Sequence, residues 1–366
     1  MTRSSSYPHK KDLTLHNRPN KSVDKVLHSP YFSLTVAYLI WGIAAPISKL
    51  TLGEIGPFSL LFFRTIITAG ILLPFILKHK IALTLHEQWN IALSGFFSIF
   101  LHITLIYTAL PLIPSINLPI ISSMSPFIFV LLARVFLREK VGMNKYYGMA
   151  LGLLGVLCIT LLPVIFPKPG EVLGISTQIL SSLKMLGLEN ANLPTTTISW
   201  IGNGLLILAI VIGSIGSLFI KPIRHLPGRL ITFWQFAIVA CISLPLALLE
   251  NPDLFVSQIS LSGMLGIGYI ALFSSVVAYS LYNSGLQETK AADVGLFSYI
   301  SPLAALMVGI PLLHEYPDLW FIIGAGLVLV GVLIAERKTR NKFVHSAQTL
   351  IADSRPKRRR KRTALD

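Results

Sequence analysis

The sequence predicts an all-α membrane protein with ten transmembrane helices, arranged as two inverted five-helix repeats. The first observation is composition: of 366 residues 53% are hydrophobic and only 13% are charged, with a mean hydropathy of +0.69. Such values exclude an ordinary soluble globular protein. The second is a set of apolar segments close to the roughly 20 residues that a helix needs to cross a bilayer. The third is a pattern of residues that occurs twice in the chain.

The apolar segments define the spans in chain order. They are continuously apolar and do not alternate, which favours helices over the strands of a membrane barrel. The ten predicted spans are Tyr31–Leu50, Pro57–Leu77, Trp89–Leu110, Ser115–Leu137, Tyr146–Phe166, Ser199–Ile220, Leu230–Leu249, Leu261–Tyr282, Ala292–Leu312 and Asp318–Ala335.

The connections between spans differ in charge. Of the 31 Lys and Arg residues, six precede the first span and eleven follow the last. The connections after spans 3, 7 and 9 hold none, whereas those after spans 2, 4, 6 and 8 hold Lys78, Lys80, Arg138, Lys140, Lys145, Lys221, Arg224, Arg229 and Lys290. Because basic residues mark cytoplasmic loops, both termini are predicted to be cytoplasmic. The net charge of +15 is therefore explained by the basic residues of the predicted cytoplasmic loops and tails. No nucleic-acid partner is expected.

The repeated pattern is Ser125-Pro126, Glu139, Gly148 and Gly155, which returns with identical spacing about 176 residues later. Its second copy is Ser301-Pro302, Glu315, Gly324 and Gly331. Two halves of five helices each must enter the membrane from opposite sides, which is an inverted repeat. The predicted organisation is a basic cytoplasmic tail (1–30), a first module (31–166), an extracytoplasmic linker (167–198), a second module (199–336) and a polybasic cytoplasmic tail (337–366).

Short motifs carry a resemblance to a known family. They are Tyr38–Gly42 in span 1, Phe62–Arg64 in span 2, Ser125-Pro126 with Arg138–Lys140 at span 4, and Ser301-Pro302 with His314-Glu315 at span 9. As a set they resemble the drug/metabolite transporter superfamily, specifically an EamA-type permease with two EamA modules. The resemblance implies a secondary-active exporter of small organic metabolites, amino acids or drugs, working by alternating access in the cytoplasmic (inner) membrane. A departure is Trp234-Gln235, which stands where the first half has Phe63-Arg64.

Polar side chains at membrane depth normally face the bundle interior or a wet cavity. The predicted cavity lining is Tyr38, Trp41, Ser98, His102, Ser125, Ser214, Ser275, Tyr279, Tyr282, Ser298 and Ser301. For the serines, hydrogen bonding between packed helices is the alternative. Trp41 and Tyr279, from opposite modules, are expected to lie about 10 Å apart, within reach of one ligand, because helices pack 8–10 Å apart.

Ionisable and proline residues give further expectations. His102 either carries a coupling proton or donates a hydrogen bond across helices. Arg64 either contacts an anionic group or extends to the interface, as Lys49 and Lys221 are expected to do. Pro126 and Pro302, at equivalent places, are predicted hinges because proline removes a helical hydrogen bond.

Other classes of function are less supported. No nucleotide-binding loop, metal-ligand constellation or nucleophile–base pair occurs, so the chain is predicted to be neither an ATP-driven pump nor an enzyme, and to need no cofactor. A nucleotide-sugar or organic-phosphate exchanger of the same superfamily is the first alternative, and an intramembrane enzyme or scaffold is the second. The expected partners are a small-molecule substrate, the lipid bilayer and a coupling proton, with a monomer or homodimer as the assembly.

Overall fold

The computed structural model describes residues 30–78, 82–125, 127–128, 131–132, 143–165, 195–252, 259–288, 297–298 and 300–335. Within these ranges every regular element is helical and none is a strand. Several predicted features lie outside the described residues: the N-terminal tail, most of the linker, Pro126, Glu139 and the polybasic tail.

The helices follow the predicted spans in order. They are α1 (Pro30–Thr51), α2 (Pro57–Lys78), α3 (Leu85–Leu112), α4 (Asn117–Ser122), α5 (Met143–Ile165), α6 (Thr195–Leu218), α7 (Gly228–Glu250), α8 (Leu261–Leu286), α9 (Ile300–Leu313) and α10 (Leu319–Ala335). In the described part of the chain, six of them are long and apolar enough to cross a membrane: α1, α2, α3, α6, α7 and α8. The chain is therefore an all-helical, multi-pass membrane protein, while the count of ten spans stays a prediction.

Side-chain caps explain where two of these helices begin. Thr84 and Glu87 form a capping box, in which Glu87 Oε2 accepts from the Thr84 amide at 2.7 Å and Thr84 Oγ1 accepts from the Glu87 amide. The box satisfies free amides of the first turn, so α3 begins at Leu85, four residues before the predicted start. At α8, Ser260 Oγ accepts from the Gly263 amide, and the helix begins at Leu261 as predicted.

Two helices contain a π-helical segment in matching positions. In α3 it spans Phe96–Leu101 and in α8 it spans Ile270–Val277, about 175 residues further along the chain. Such wide turns are rare, interrupt the regular hydrogen-bond ladder and occur most often at functional sites. Both segments face the interior of the bundle, where Ser98 and Ser274 line the same cavity.

The two halves of the chain are interleaved. Helix α1 packs on α8 and α9, α2 packs on α7, α3 packs on α6, and α5 packs on α10. The α5–α10 contact brings backbones together, since a Cβ on Gly155 would lie 2.5 Å from the Gly324 carbonyl oxygen, and the converse distance is the same. The glycine-rich spans thus form a helix pair within one chain, as small residues allow in membranes.

Candidate functional site

A cavity of about 230 Å³ lies between the two halves of the bundle. Its described lining residues come from eight helices or the residues beside them: α1, α2, α3, α4, α6, α7, α8 and α9. The predicted residues that line it are Tyr38, Trp41, Arg64, Ser98, His102, Ser125, Ser214, Tyr279, Tyr282, Ser298 and Ser301. The sequence-predicted positions therefore converge on one space, although they come from six helices and from Ser125 and Ser298 beside α4 and α9.

Four aromatic side chains, Tyr38, Trp41, Tyr279 and Tyr282, form what we call the aromatic wall. The Trp41 ring lies 5.1 Å from Tyr279, 5.0 Å from Tyr282 and 5.4 Å from Tyr38, measured between ring centroids. These are favourable edge-to-face and tilted distances for aromatic pairs. Trp41 and Tyr279 are thus in direct contact, at about half the separation expected from helix spacing, because both side chains point inward.

The Trp41 indole is fixed in orientation by the π-helical segment of α8. Its Nε1 donates a hydrogen bond of 3.0 Å to the carbonyl oxygen of Ser274. In a regular α-helix the Ser274 carbonyl would accept a hydrogen bond from the amide four residues further along the chain. The wide turns of Ile270–Val277 interrupt this pattern of backbone hydrogen bonds. Buried indole N–H groups usually need such a partner. The bond links α1 of the first half to α8 of the second.

Arg64 of α2 is the one permanently charged side chain among the described residues that line the cavity. Its side chain is 5% exposed, and its guanidinium donates to Ser275 Oγ from Nε (3.1 Å) and Nη2 (2.8 Å) and to the Tyr107 hydroxyl from Nη1 (2.7 Å). It also lies 5.9 Å from the centre of the Phe236 ring. The alternative in which Arg64 extends to the interface is wrong, because these contacts hold it inside the bundle.

Gln235 occupies the position in α7 that corresponds to Arg64 in α2. Its Nε2 donates to Ser94 Oγ at 2.6 Å, and its Oε1 accepts from Asn283 Nδ2 at 3.3 Å. The Asn283 carbonyl oxygen is buried without a hydrogen-bond partner, and Asn283 lines the cavity. An unpaired buried acceptor is costly, so Asn283 is available to a donor on a bound molecule.

His102 connects α3 to α6. Its Nδ1 lies 2.6 Å from the Ala209 carbonyl oxygen, and since a carbonyl can only accept, Nδ1 carries the proton. The ring packs against Gly213, where a Cβ would lie 2.7 Å from Nδ1. The predicted cross-helix hydrogen bond is therefore present. Nε2 has no hydrogen-bond partner among the described residues, and the coupling proton stays a prediction.

The structure corrects one of the predicted roles. Ser275 does not line the cavity, because its hydroxyl points to Arg64 and to the Ile270 carbonyl. Pro302 is the third residue of α9 as its bounds are given, and Pro126 lies outside the described residues. The hinge role of the two prolines stays a prediction.

Sequence reasoning missed several lining residues: Tyr107, Ser274 and Asn283. Asn283 directly follows Tyr282, the last residue of predicted span 8, so a span one residue longer would have included it. Tyr107 lies in predicted span 3 and is nearly fully buried, but its phenol looks like any aromatic side chain until its partner is known. Ser274 contributes through a backbone carbonyl, which no side-chain pattern signals.

Three carboxylates close one end of the bundle, which we call the carboxylate face. Glu315 binds Lys49 and accepts from the Ser115 amide and hydroxyl at 2.7 and 2.6 Å. Glu250 Oε2 accepts from the Ser59 amide and hydroxyl at 2.8 and 2.7 Å. Glu54 Oε1 accepts from the Ser260 hydroxyl at 2.6 Å, and this bond, together with weaker contributions from Ser262 and backbone amides, lowers the pKa of Glu54.

Each carboxylate joins the two halves of the chain. Glu54 and Glu250 do so reciprocally, because Glu54 precedes α2 and binds the start of α8, while Glu250 ends α7 and binds the start of α2. Anionic groups are favourable at helix N-termini, where backbone amides lack partners. Lys49, which was predicted to extend to the interface, lies at the end of α1 with its ammonium held by Glu315.

A multi-pass helical bundle with a central cavity shared by two repeated halves is the architecture of a membrane transporter. Comparison with family models agrees, since the EamA-like transporter family matches residues 28–161 and 200–336. The chain belongs to the EamA-like transporter family. This finding confirms the resemblance that the motifs indicated.

Individual relatives are also named as transporters. The uncharacterized transporter YetK of Bacillus subtilis is 23% identical over 87% of this chain and 89% of its own length. An uncharacterized transporter of Archaeoglobus fulgidus is 24% identical over 83% of this chain and 96% of its own length. A solved crystal structure superposes with a TM-score of 0.59 at 16% identity, covering 85% of this chain and 98% of the other, which shows a shared fold.

Proposed function

We propose that this protein is a secondary-active transporter that moves a small organic solute across the cytoplasmic membrane by alternating access. The observation that carries the proposal is the central cavity, which the two halves line together with the aromatic wall on one side and Arg64 on another. Apolar walls with a few placed polar groups are typical of small-molecule sites. The substrates that the family resemblance favours are metabolites, amino acids or drugs, and the favoured direction is export.

Alternating access is supported by correspondences between the halves. The π-helical segments of α3 and α8 occupy matching positions, and the contact of α1 with α8 mirrors that of α6 with α3. Two equivalent units that exchange conformations would open the shared cavity first to one side and then to the other. We therefore propose that residues 31–166 and 199–336 act as the two inverted modules.

The charge bias places the carboxylate face outside and both termini in the cytoplasm. In that orientation the bonds made by Glu54, Glu250 and Glu315 close the outer side of the cavity. We propose that these bonds form an outer gate that must open for release of an exported solute. His102 is the candidate for a coupling proton, because its Nε2 is unpartnered in the described part of the chain.

The alternatives have less support. An organic-phosphate exchanger needs several cations, whereas among the described lining residues Arg64 alone carries a permanent positive charge. An intramembrane enzyme needs several ionisable groups at one depth, and the described cavity residues are mainly hydroxyl, aromatic and apolar side chains.

A test uses cysteine accessibility in proteoliposomes of defined orientation. Cys158 and Cys241 are first replaced by serine, and Ser214→Cys then reports on the cavity while Ser260→Cys, at the carboxylate face, serves as the matched one-sided control. A transported solute should shift the reactivity of Ser214→Cys between impermeant reagents on the two sides, and Ser260→Cys should react from one side only. Reactivity of Ser214→Cys from a single side, whatever the solute gradient, would contradict alternating access.

A further inference from the structure

Arg64 is a buried cation without a carboxylate partner in the described part of the chain. The ion pairs found there join Lys49 to Glu315 and His225 to Glu87, and neither involves Arg64. Removing a guanidinium from water is unfavourable unless an anion and hydrogen bonds compensate it. Among the described residues, the hydrogen bonds of Arg64 go to the hydroxyls of Ser275 and Tyr107 alone.

The guanidinium also retains unused donors. It has five N–H groups, of which two point to Ser275 Oγ and one to Tyr107. Ser275 Oγ uses its own proton on the Ile270 carbonyl, so it acts toward Arg64 as an acceptor. One N–H remains on each terminal nitrogen of Arg64. Two guanidinium N–H groups can engage both oxygens of a planar carboxylate, so these two donors remain for such a ligand.

The charge balance favours an anion with one negative charge. Arg64 is the one permanently charged side chain among the described lining residues, and the Lys49 ammonium is already held by Glu315 and the Ile113 carbonyl. One guanidinium neutralises one negative charge. A phosphate with two charges would leave an excess negative charge against walls that are largely apolar, which is unfavourable.

A chain of ring contacts leads from this cation to the aromatic wall. Arg64 Cζ lies 5.9 Å from the Phe236 ring, whose centre is 5.2 Å from that of Tyr279, which in turn is 5.1 Å from Trp41. One small molecule can therefore contact both Arg64 and the aromatic wall. The solute that fits has a negative group at one end and an apolar ring or branched chain at the other.

We propose, building on the transporter function above, that the solute class is the organic monocarboxylates with an aromatic or branched apolar body. Arg64 binds the carboxylate through its two free N–H groups, and the aromatic wall contacts the apolar body. Ser275 and Tyr107 position Arg64 for this contact.

The test measures binding by the full-length protein in lipid nanodiscs, using isothermal titration calorimetry. The probes are 3-phenylpropanoate, its neutral amide 3-phenylpropanamide, phenyl phosphate and 2-phenylethylamine. Wild-type protein should bind the carboxylate about ten- to a hundredfold more tightly than the amide, which is the range for hydrogen bonds to charged groups. It should bind phenyl phosphate and the amine more weakly than the carboxylate.

Variants assign this preference to Arg64. Arg64→Gln should bind acid and amide equally, and Arg64→Lys should retain part of the preference. Arg229→Gln, which removes a cation that stacks on Phe75 outside the cavity, should bind as wild type does. The comparison of acid with amide in wild-type protein needs no variant, so a misfolded Arg64→Gln leaves the test intact.

The outcomes separate this proposal from the transporter proposal. Equal affinity of wild-type protein for acid and amide, failure to bind the acid, or a preference retained in Arg64→Gln would each overturn the carboxylate assignment. Transport of the amine or another solute in the same preparation would then leave the transporter function standing. Absence of solute-dependent flux for every probe would instead count against that function.

Discussion

The ammonium of Lys49 and the carboxylate of Glu315 lie 2.7 Å apart, although 266 positions of sequence separate the two residues. The side chains are 20% and 12% exposed, so the pair is largely shielded from water. Because Glu315 also binds Ser115, the contact joins the end of α1, the connection between α3 and α4, and the connection between α9 and α10.

Loss of either partner should destabilise the protein. Lys49→Met leaves the Glu315 charge without its cation and should lower the free energy of unfolding by about 1–3 kcal/mol. The Lys49→Met/Glu315→Gln double variant should recover part of this loss, which a double-mutant cycle measures in detergent. Lys78→Met, at the exposed end of α2, is the control and should change stability little. Strictly additive losses would show that the pair is not coupled.

Trp41 should matter for binding rather than for folding. Trp41→Ala removes the centre of the aromatic wall and the bond to Ser274, and should weaken solute binding by about tenfold or more. Trp200→Ala removes a tryptophan that is 49% exposed on the outside of the bundle and should bind as wild type does. Binding affinity and monodispersity are measured for both. Unchanged affinity in Trp41→Ala would place the solute elsewhere.

The α5–α10 contact should not tolerate a methyl group. Gly155→Ala puts a Cβ 2.5 Å from the Gly324 carbonyl and should cost about 1–3 kcal/mol of stability. Gly326→Ala, on the same pair of helices, meets no atom within 4 Å and should be neutral or stabilising by up to about 1 kcal/mol. Thermal unfolding of both variants measures the difference. Similar melting temperatures would mean that the helices can move apart without cost.

Glu54 should give the protein an acid-sensitive stability term. The pKa of Glu54 is lowered from its ordinary value of 4.5, chiefly by the Ser260 hydroxyl. The contribution of Glu54 to the free energy of unfolding is therefore complete above pH 4.5. It is lost as the pH falls through the lower pKa of the folded state. Melting temperatures of wild type and Glu54→Gln should differ above pH 5 and converge at lower pH. A difference that grows on acidification would contradict this sign.

The charge bias makes a prediction about orientation. Reporter fusions after Lys80, Lys145 and Lys290 should be active in the cytoplasm, and fusions near Pro114, Gly187 and Asp253 should report the outside. A consistent reversal would turn the carboxylate face toward the cytoplasm. The proposed gate would then act on the inner side.

Much of the cavity could be predicted because the bilayer penalises polar groups. A serine or histidine in an apolar span must face other helices, so residues such as His102, Ser98 and Ser214 were found from their positions alone. The family was predictable for a related reason, since the Ser-Pro and glycine motifs survive in both halves.

Contacts between distant segments were not predictable in the same way. Lys49 near a helix end looks like any lysine that extends to the interface, until the fold brings Glu315 to it. The bond from Trp41 to Ser274 is made to a backbone carbonyl within a π-helical segment, and no residue type specifies such a segment.

The glycine contact between α5 and α10 restricts how the protein can move. These helices belong to different halves, and at Gly155 and Gly324 their backbones already touch, so no side chain there can rearrange to let one helix slide past the other. Relative motion of the halves must therefore have its smallest amplitude along this pair and its largest on the opposite flank. If the cavity alternates between the two sides as proposed, the α5–α10 pair is expected to be the axis of rotation, and the distance between labels attached to α5 and α10 should stay constant.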